Sequence, residues 1–135
     1  MDATSAVADL TEISSQIVHA VVLLEDGSVL ASTIAAEEHT KRLATTALDL
    51  LAAAADVPLQ GERELAQLEV ALGEGSVFVV RDGGRLVVAT AVAGAPSGLV
   101  LYDLRTCLRA IDEPGEETTP PPRTRTPRRK TAADA

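Results

Sequence analysis

The chain has 135 residues and a formal charge of −8 at neutral pH; 46% of it is hydrophobic, yet Phe78 and Tyr102 are the only aromatics. This is the length of about one domain, whose core must be Ala, Val and Leu, and side chains that small bury less area each than aromatic anchors do. The acidic balance argues against a phosphate-gripping face, the single Cys107 excludes an intrachain disulfide or a CxxC site, and no run approaches the roughly 18 apolar residues of a membrane helix.

The start, MDATSAVADLTEISS, has no basic stretch leading into an apolar one, so a cytoplasmic location without membrane insertion is expected. Residues 4 to 17 read as a first helix, capped by Thr4 or Ser5, with Ala6, Leu10, Ile13 and Ile17 on one face. VHAVVLLEDGSVLASTI follows as two β-rich runs around Glu25-Asp26-Gly27-Ser28. Asp-Gly favours the positive φ of a tight hairpin turn, which predicts a strand pair.

A long helix spans about Ala36 to Asp56, with Glu37 and Glu38 in the first turn and Pro58 just past the end. Leu43, Ala47, Leu50 and Ala54 form one apolar stripe, and Ala44, Leu48, Leu51 and Ala55 form a second beside it. So wide an arc leaves two readings, a helix buried inside the monomer or one shared between the core and a partner. We read the first stripe as docking on the core and the second as a dimer interface, because a single small sheet offers the helix only one face.

A meander comes next, LAQLEVALG, SVFVVRD and RLVVATAVA, broken at Gly73-Glu74-Gly75 and Asp82-Gly83-Gly84. Leu68, Val70 and Leu72 alternate with Glu69 and Ala71, as where one face is wet. The last run and the strand at Val18 to Leu24 are apolar on both faces, which places them side by side mid-sheet. The 30s strand and the strand over 65–73 then fall at the edges. A third helix begins near Ser97, read as its cap, and Leu101, Leu104, Leu108 and Ile111 supply its stripe.

Residues 1–112 carry 16 acids and 7 bases, whereas 113–135 carry 4 acids, 5 bases and five of the seven prolines. The chain therefore divides into a domain over 1–112 and a Pro-rich, basic tail whose composition predicts disorder. RTRTPRRK in that tail holds five positive charges in eight residues, without aromatics to read bases. The predicted order is α-β-β-α-β-β-β-α, an α+β fold with a five-stranded antiparallel sheet and helices on both faces.

That order, together with HAVVLLEDGSVLAST, RLATTALDLL and GLVLYDLRTCLRAI, resembles the roadblock (dynein light chain) family, a branch of the longin-like and profilin-like folds. The resemblance covers about residues 5–112; the polar loop around Pro58 to Glu64 and the basic tail depart from it. It implies a homodimer in which the central helices pack together and the third strands pair edge to edge. On that reading Ala44, Leu48, Leu51 and Ala55 meet their own copies, and Leu68 and Val70 lie by the seam. It also implies a Ras-like small GTPase as partner, for bacterial members often act beside one as regulator or scaffold.

The residues themselves show no catalytic constellation, and no enzyme activity, cofactor or metal is expected. His19 lies in a strand without a carboxylate to orient it, and His39 lacks the HExxH spacing of a zinc helix. Cys107 reads as a small buried hydrophobe and Gly83-Gly84 as a turn, with no Lys-Ser/Thr following to cradle phosphate. Glu37, Lys41 and Arg42 at the rim of the long helix are candidates for partner binding, although exposed helix charges are more often just solvated. The function expected is that of a non-enzymatic homodimer that binds a Ras-like GTPase and modulates its nucleotide cycle. The alternative is a structural adaptor with no GTPase partner.

Overall fold

The computed structural model describes residues 1–58 and 66–112. The tail assigned to 113–135, and most of the polar loop between Pro58 and Glu64, lie outside the described residues.

Helix α1 (Ala3–Ile13) is capped by Asp2, whose carboxylate accepts the Ser5 N–H at 2.8 Å. Neither Thr4 nor Ser5 caps it, because the acid two or three positions earlier already satisfies a free amide of the first turn. The helix stops four residues short of the predicted end. Ser14 turns extended while its N–H closes on the Leu10 carbonyl, and the β-branched run from Ile17 continues as strand. Its buried face is accordingly Ala6, Val7 and Leu10; Ile13 is 71% exposed, and Ile17 is buried from the strand.

Strands β1 (Ile17–Leu24) and β2 (Val29–Ser32) form the expected hairpin. Gly27 adopts φ 96°, and the Asp26 carboxylate accepts the Ser28 N–H at 2.9 Å, so both turn residues act as their types predict. After β2 the chain enters α2 (Glu37–Ala55), then the meander β3 (Ala66–Leu72), β4 (Gly75–Asp82) and β5 (Arg85–Val92), and closes with α3 (Ser97–Ala110). Gly75 opens β4 where a Cβ would lie 2.6 Å from the Ala91 carbonyl oxygen on the neighbouring strand. Close strand approach, and no special φ, requires glycine there.

The sheet runs β2-β1-β5-β4-β3, every neighbour antiparallel. The doubly apolar strands β1 and β5 are adjacent and central, as their sequences require, and β2 and β3 are the edges. Two apolar layers result. On one face Ala20, Val22, Phe78, Val80, Val87 and Ala89 pack under α1 and α3; on the other Val21, Leu23, Val79, Leu86 and Val88 pack under α2.

Helix α3 differs from expectation in roll. Ser97 is its first helical residue, not its cap, and Pro96 holds the cap position without a side-chain bond. Val100 and Cys107 join Leu104, Leu108 and Ile111 in the core, whereas Leu101 is only half-buried. Cys107 is thus the small buried hydrophobe its isolation suggested, and burial pushes its thiol up to about 11.

Candidate protein interaction surface

Helix α2 lies on the sheet along a line that runs between the two predicted stripes. Its buried residues are Thr40, Ala44, Ala47 and Leu51, with Ala44 at 4% and Leu51 at 8% exposure. Leu43 and Leu50 on one flank and Leu48 on the other are half-buried and reach the same cluster. The alanines at 44 and 47 bring the helix close to the sheet, and long leucines on either side then splay down to it. Ala47, with Leu43 and Leu50 beside it, serves the core as expected of the first stripe, and Ala44 and Leu51 of the second stripe are buried there as well, so members of both stripes serve the monomer. Of the second stripe, Leu48 is at the flank and Ala55 is exposed.

The outward side of α2 presents Arg42, Thr45, Thr46, Asp49, Ala52 and Ala53, all exposed. Small residues there leave the helix backbone open to close approach. Thr40, which the sequence reading passed over, faces inward and is satisfied by the Ser32 hydroxyl at 2.8 Å, tying the start of α2 to the end of β2. Its position one turn before Ala44 was the signal for this placement.

The α2 side of the sheet is only partly covered. Across the strands, Leu68, Val79, Val88 and Val21 form one cross-strand row, and all but the edge residue Leu68 are buried beneath the helix. The next row on the same face is Val70, Val77, Thr90 and His19, and none of these is buried. Beside it Val18 is 50% and Leu72 59% exposed, and a shallow depression joins Val18, Leu72, Val77 and Thr90. The Thr90 hydroxyl, itself shielded from solvent, has no hydrogen-bond partner. This apolar shelf ends at β3, whose one strand partner among the described residues is β4. Leu68 and Val70, both half-buried, therefore stand at an open sheet edge.

Glu37, Lys41 and Arg42 are exposed on the first turns of α2. Glu37 pairs with Lys41 at 3.9 Å and Glu38 with Arg42 at 3.8 Å, both one turn apart along the helix. His19 is an exposed residue at the end of the sheet, and His39 is exposed on α2. Among the described residues no three of His, Cys, Asp and Glu group as a metal site, and no helix is long and apolar enough to cross a membrane. What the described residues present is a partly covered apolar shelf beside an open strand edge.

No protein-family model matches the chain, and no curated protein does. Solved structures do. A Roadblock/LC7 domain from Streptomyces avermitilis matches with a TM-score of 0.64 at 25% identity, over 79% of this chain and 95% of that one. The chain is a roadblock-fold domain. A second Roadblock/LC7 domain from Streptomyces avermitilis reaches a TM-score of 0.69 at 20% identity, over 82% of this chain and 94% of the other. Myxococcus xanthus MglB matches at 0.60 and 17% identity, over 78% of this chain and 80% of its own. At identities this low the likeness is one of fold, and the roadblock resemblance read from three sequence segments holds at that level. In this roadblock-fold domain the open features, the α2 outer face, the uncovered shelf and the β3 edge, lie together on one side.

Proposed function

We propose that this roadblock-fold domain is a cytoplasmic, non-enzymatic homodimer that binds a Ras-like small GTPase and modulates its nucleotide cycle. The observation that carries the reading is the uncovered row Val70, Val77 and Thr90, which runs to an open β3 edge. A second copy related by a two-fold axis would add its own β3 alongside and lay its α2 over that shelf. The contacts on α2 then fall to Leu48, Ala52 and Ala55, with Leu68 and Val70 by the seam, since Ala44 and Leu51 already face the sheet of their own chain. Two paired helices make a platform, and Glu37, Lys41 and Arg42 at its rim would meet the GTPase. The pairs these charges make are exposed and weak, so exchanging them for partner contacts costs little.

The test has two stages. Light scattering on the full chain is expected to give the mass of two chains; a monomer at tens of micromolar overturns the dimer. Titration against Ras-like GTPases of the host, read as binding and as nucleotide exchange or hydrolysis rate, is expected to change turnover for one of them. A stable dimer that neither binds nor alters any of them would leave the adaptor role in place of the regulatory one.

A further inference from the structure

The opposite side of the molecule carries a second groove, between α1 and α3, that the proposed dimer leaves open. Ala6, Leu10 and Ile13 of α1 form its apolar floor, with Asp9 on one wall and Asp103 and Thr106 on the other. Asp9 and Glu12 are exposed and Asp103 is half-buried. No Lys or Arg occurs before Lys41, so α1 brings acids and no bases. The arginines of α3 are engaged on its far side, Arg105 with the Gln67 side chain and Arg109 with Asp82 at 3.1 Å. The ammonium of Met1 at the groove's mouth is paired with the Asp112 carboxylate at 2.9 Å, so the groove is apolar at its base and net negative along its rim.

The chain itself supplies a complementary segment at the mouth of this groove. Asp112 donates its N–H to the carbonyl of Met1, which also lines the groove, at 2.9 Å. Beyond it the sequence runs through Pro120, Pro121 and Pro122 into Arg123, Arg125, Arg128, Arg129 and Lys130, with no acid between 118 and 133. The eleven residues from Asp112 to Arg123 can span up to about 36 Å, and α1 is only about 16 Å long. Every part of the groove is within reach.

We propose that residues 119–130 dock along the α1–α3 groove of their own chain, the prolines over Leu10 and Ile13 and the basic residues facing Asp9, Glu12 and Asp103. Exposed ion pairs are individually weak, but tethering puts the segment at an effective concentration in the millimolar range, where several weak pairs suffice. Docking holds the five tail charges against the acidic body and away from anionic partners. It also covers the apolar groove that Ile13 lines. The inference does not depend on the GTPase reading, and its test leaves that reading untouched.

A nitroxide attached at Thr124→Cys in the full-length, 15N-labelled protein provides the measurement. Cys107 is buried and its thiol pushed up to about 11, so the label goes to the new site. The expected result is loss of amide intensity at Asp9, Ile13, Asp103 and Thr106 with the outer face of α2 unaffected. Intensity is expected to recover at about 0.5 M salt, where the screening length is only about 4 Å. The full-length triple variant Asp9→Asn, Glu12→Gln, Asp103→Asn, with its spectrum otherwise retained, is expected to abolish the effect. No broadening along α1 and α3, or broadening that survives neutralisation of the three acids, overturns the proposal. Broadening of a 15N chain by a separate labelled chain would show docking onto a second copy and overturn the same-chain assignment.

Discussion

Leu51→Ala and Ala52→Glu lie one residue apart on α2 and are expected to affect different properties. Leu51 packs with Val21, Leu23, Val79, Leu86 and Val88, and it retains 8% exposure. Truncating an enclosed leucine costs about 2.7–5 kcal/mol, more where the cavity cannot collapse. Position 51 is in the second-last turn of α2, where neighbours relax more readily, so the lower end applies, about 2–3 kcal/mol. For a domain of about 100 residues this lowers Tm by roughly 10–20 °C. Ala52 is exposed, and a surface change of this kind stays within about 0.5 kcal/mol in a monomer. In the proposed dimer, however, it sets a carboxylate against the partner helix. Urea unfolding followed by circular dichroism, run at several protein concentrations because dimer dissociation enters the apparent stability, reads the first effect. Light scattering reads the second: Leu51→Ala keeps the two-chain mass and Ala52→Glu loses it. A Leu51→Ala variant that becomes a stable monomer would refute the reasoning, for it would mean that residue 51 faces a partner chain and not its own sheet.

Gly75→Ala is expected to destabilise by about 1–3 kcal/mol in the same urea assay, because its Cβ would meet the Ala91 carbonyl at 2.6 Å and two paired strands would have to part. Cys107 is expected to resist a thiol reagent at pH 8 until the protein is unfolded. Since burial raises its folded value from 9.0 to about 11, its stabilising contribution is complete below pH 9 and is lost as pH rises toward 11, visible as a falling alkaline Tm that Cys107→Ala flattens. Asp26 is held below its ordinary 3.8 by hydrogen bonds from the Ser28 N–H and hydroxyl, so its contribution is present above that value and disappears as pH falls through the lowered one. A carboxyl titration by NMR in which Asp26 follows the unperturbed curve would contradict the turn geometry.

The sequence by itself determined the order of elements, the turn at Asp26-Gly27, the two-faced burial of β1 and β5 and hence their central place, and the edge position of β3. These follow from local pattern: a period of two shows which strand faces are dry, and a glycine or an aspartate marks where the chain must turn. The roll of the helices was beyond it. On α2 the residues from Leu43 to Ala55 are apolar around more than half the circumference, so several rotations bury similar area. The choice fell to shape, with Ala44 and Ala47 against the sheet and Leu43, Leu48 and Leu50 astride it. The same degeneracy exchanged Leu101 for Val100 and Cys107 on α3. The length of α1 was decided by pairing, since Ile17 gains more as a strand residue beside Ala91 than as another helical turn. The shelf at Val70, Val77 and Thr90 was least legible. Each of these residues looks inward by alternation, and only where α2 comes to lie across the sheet determines that it stops one row short.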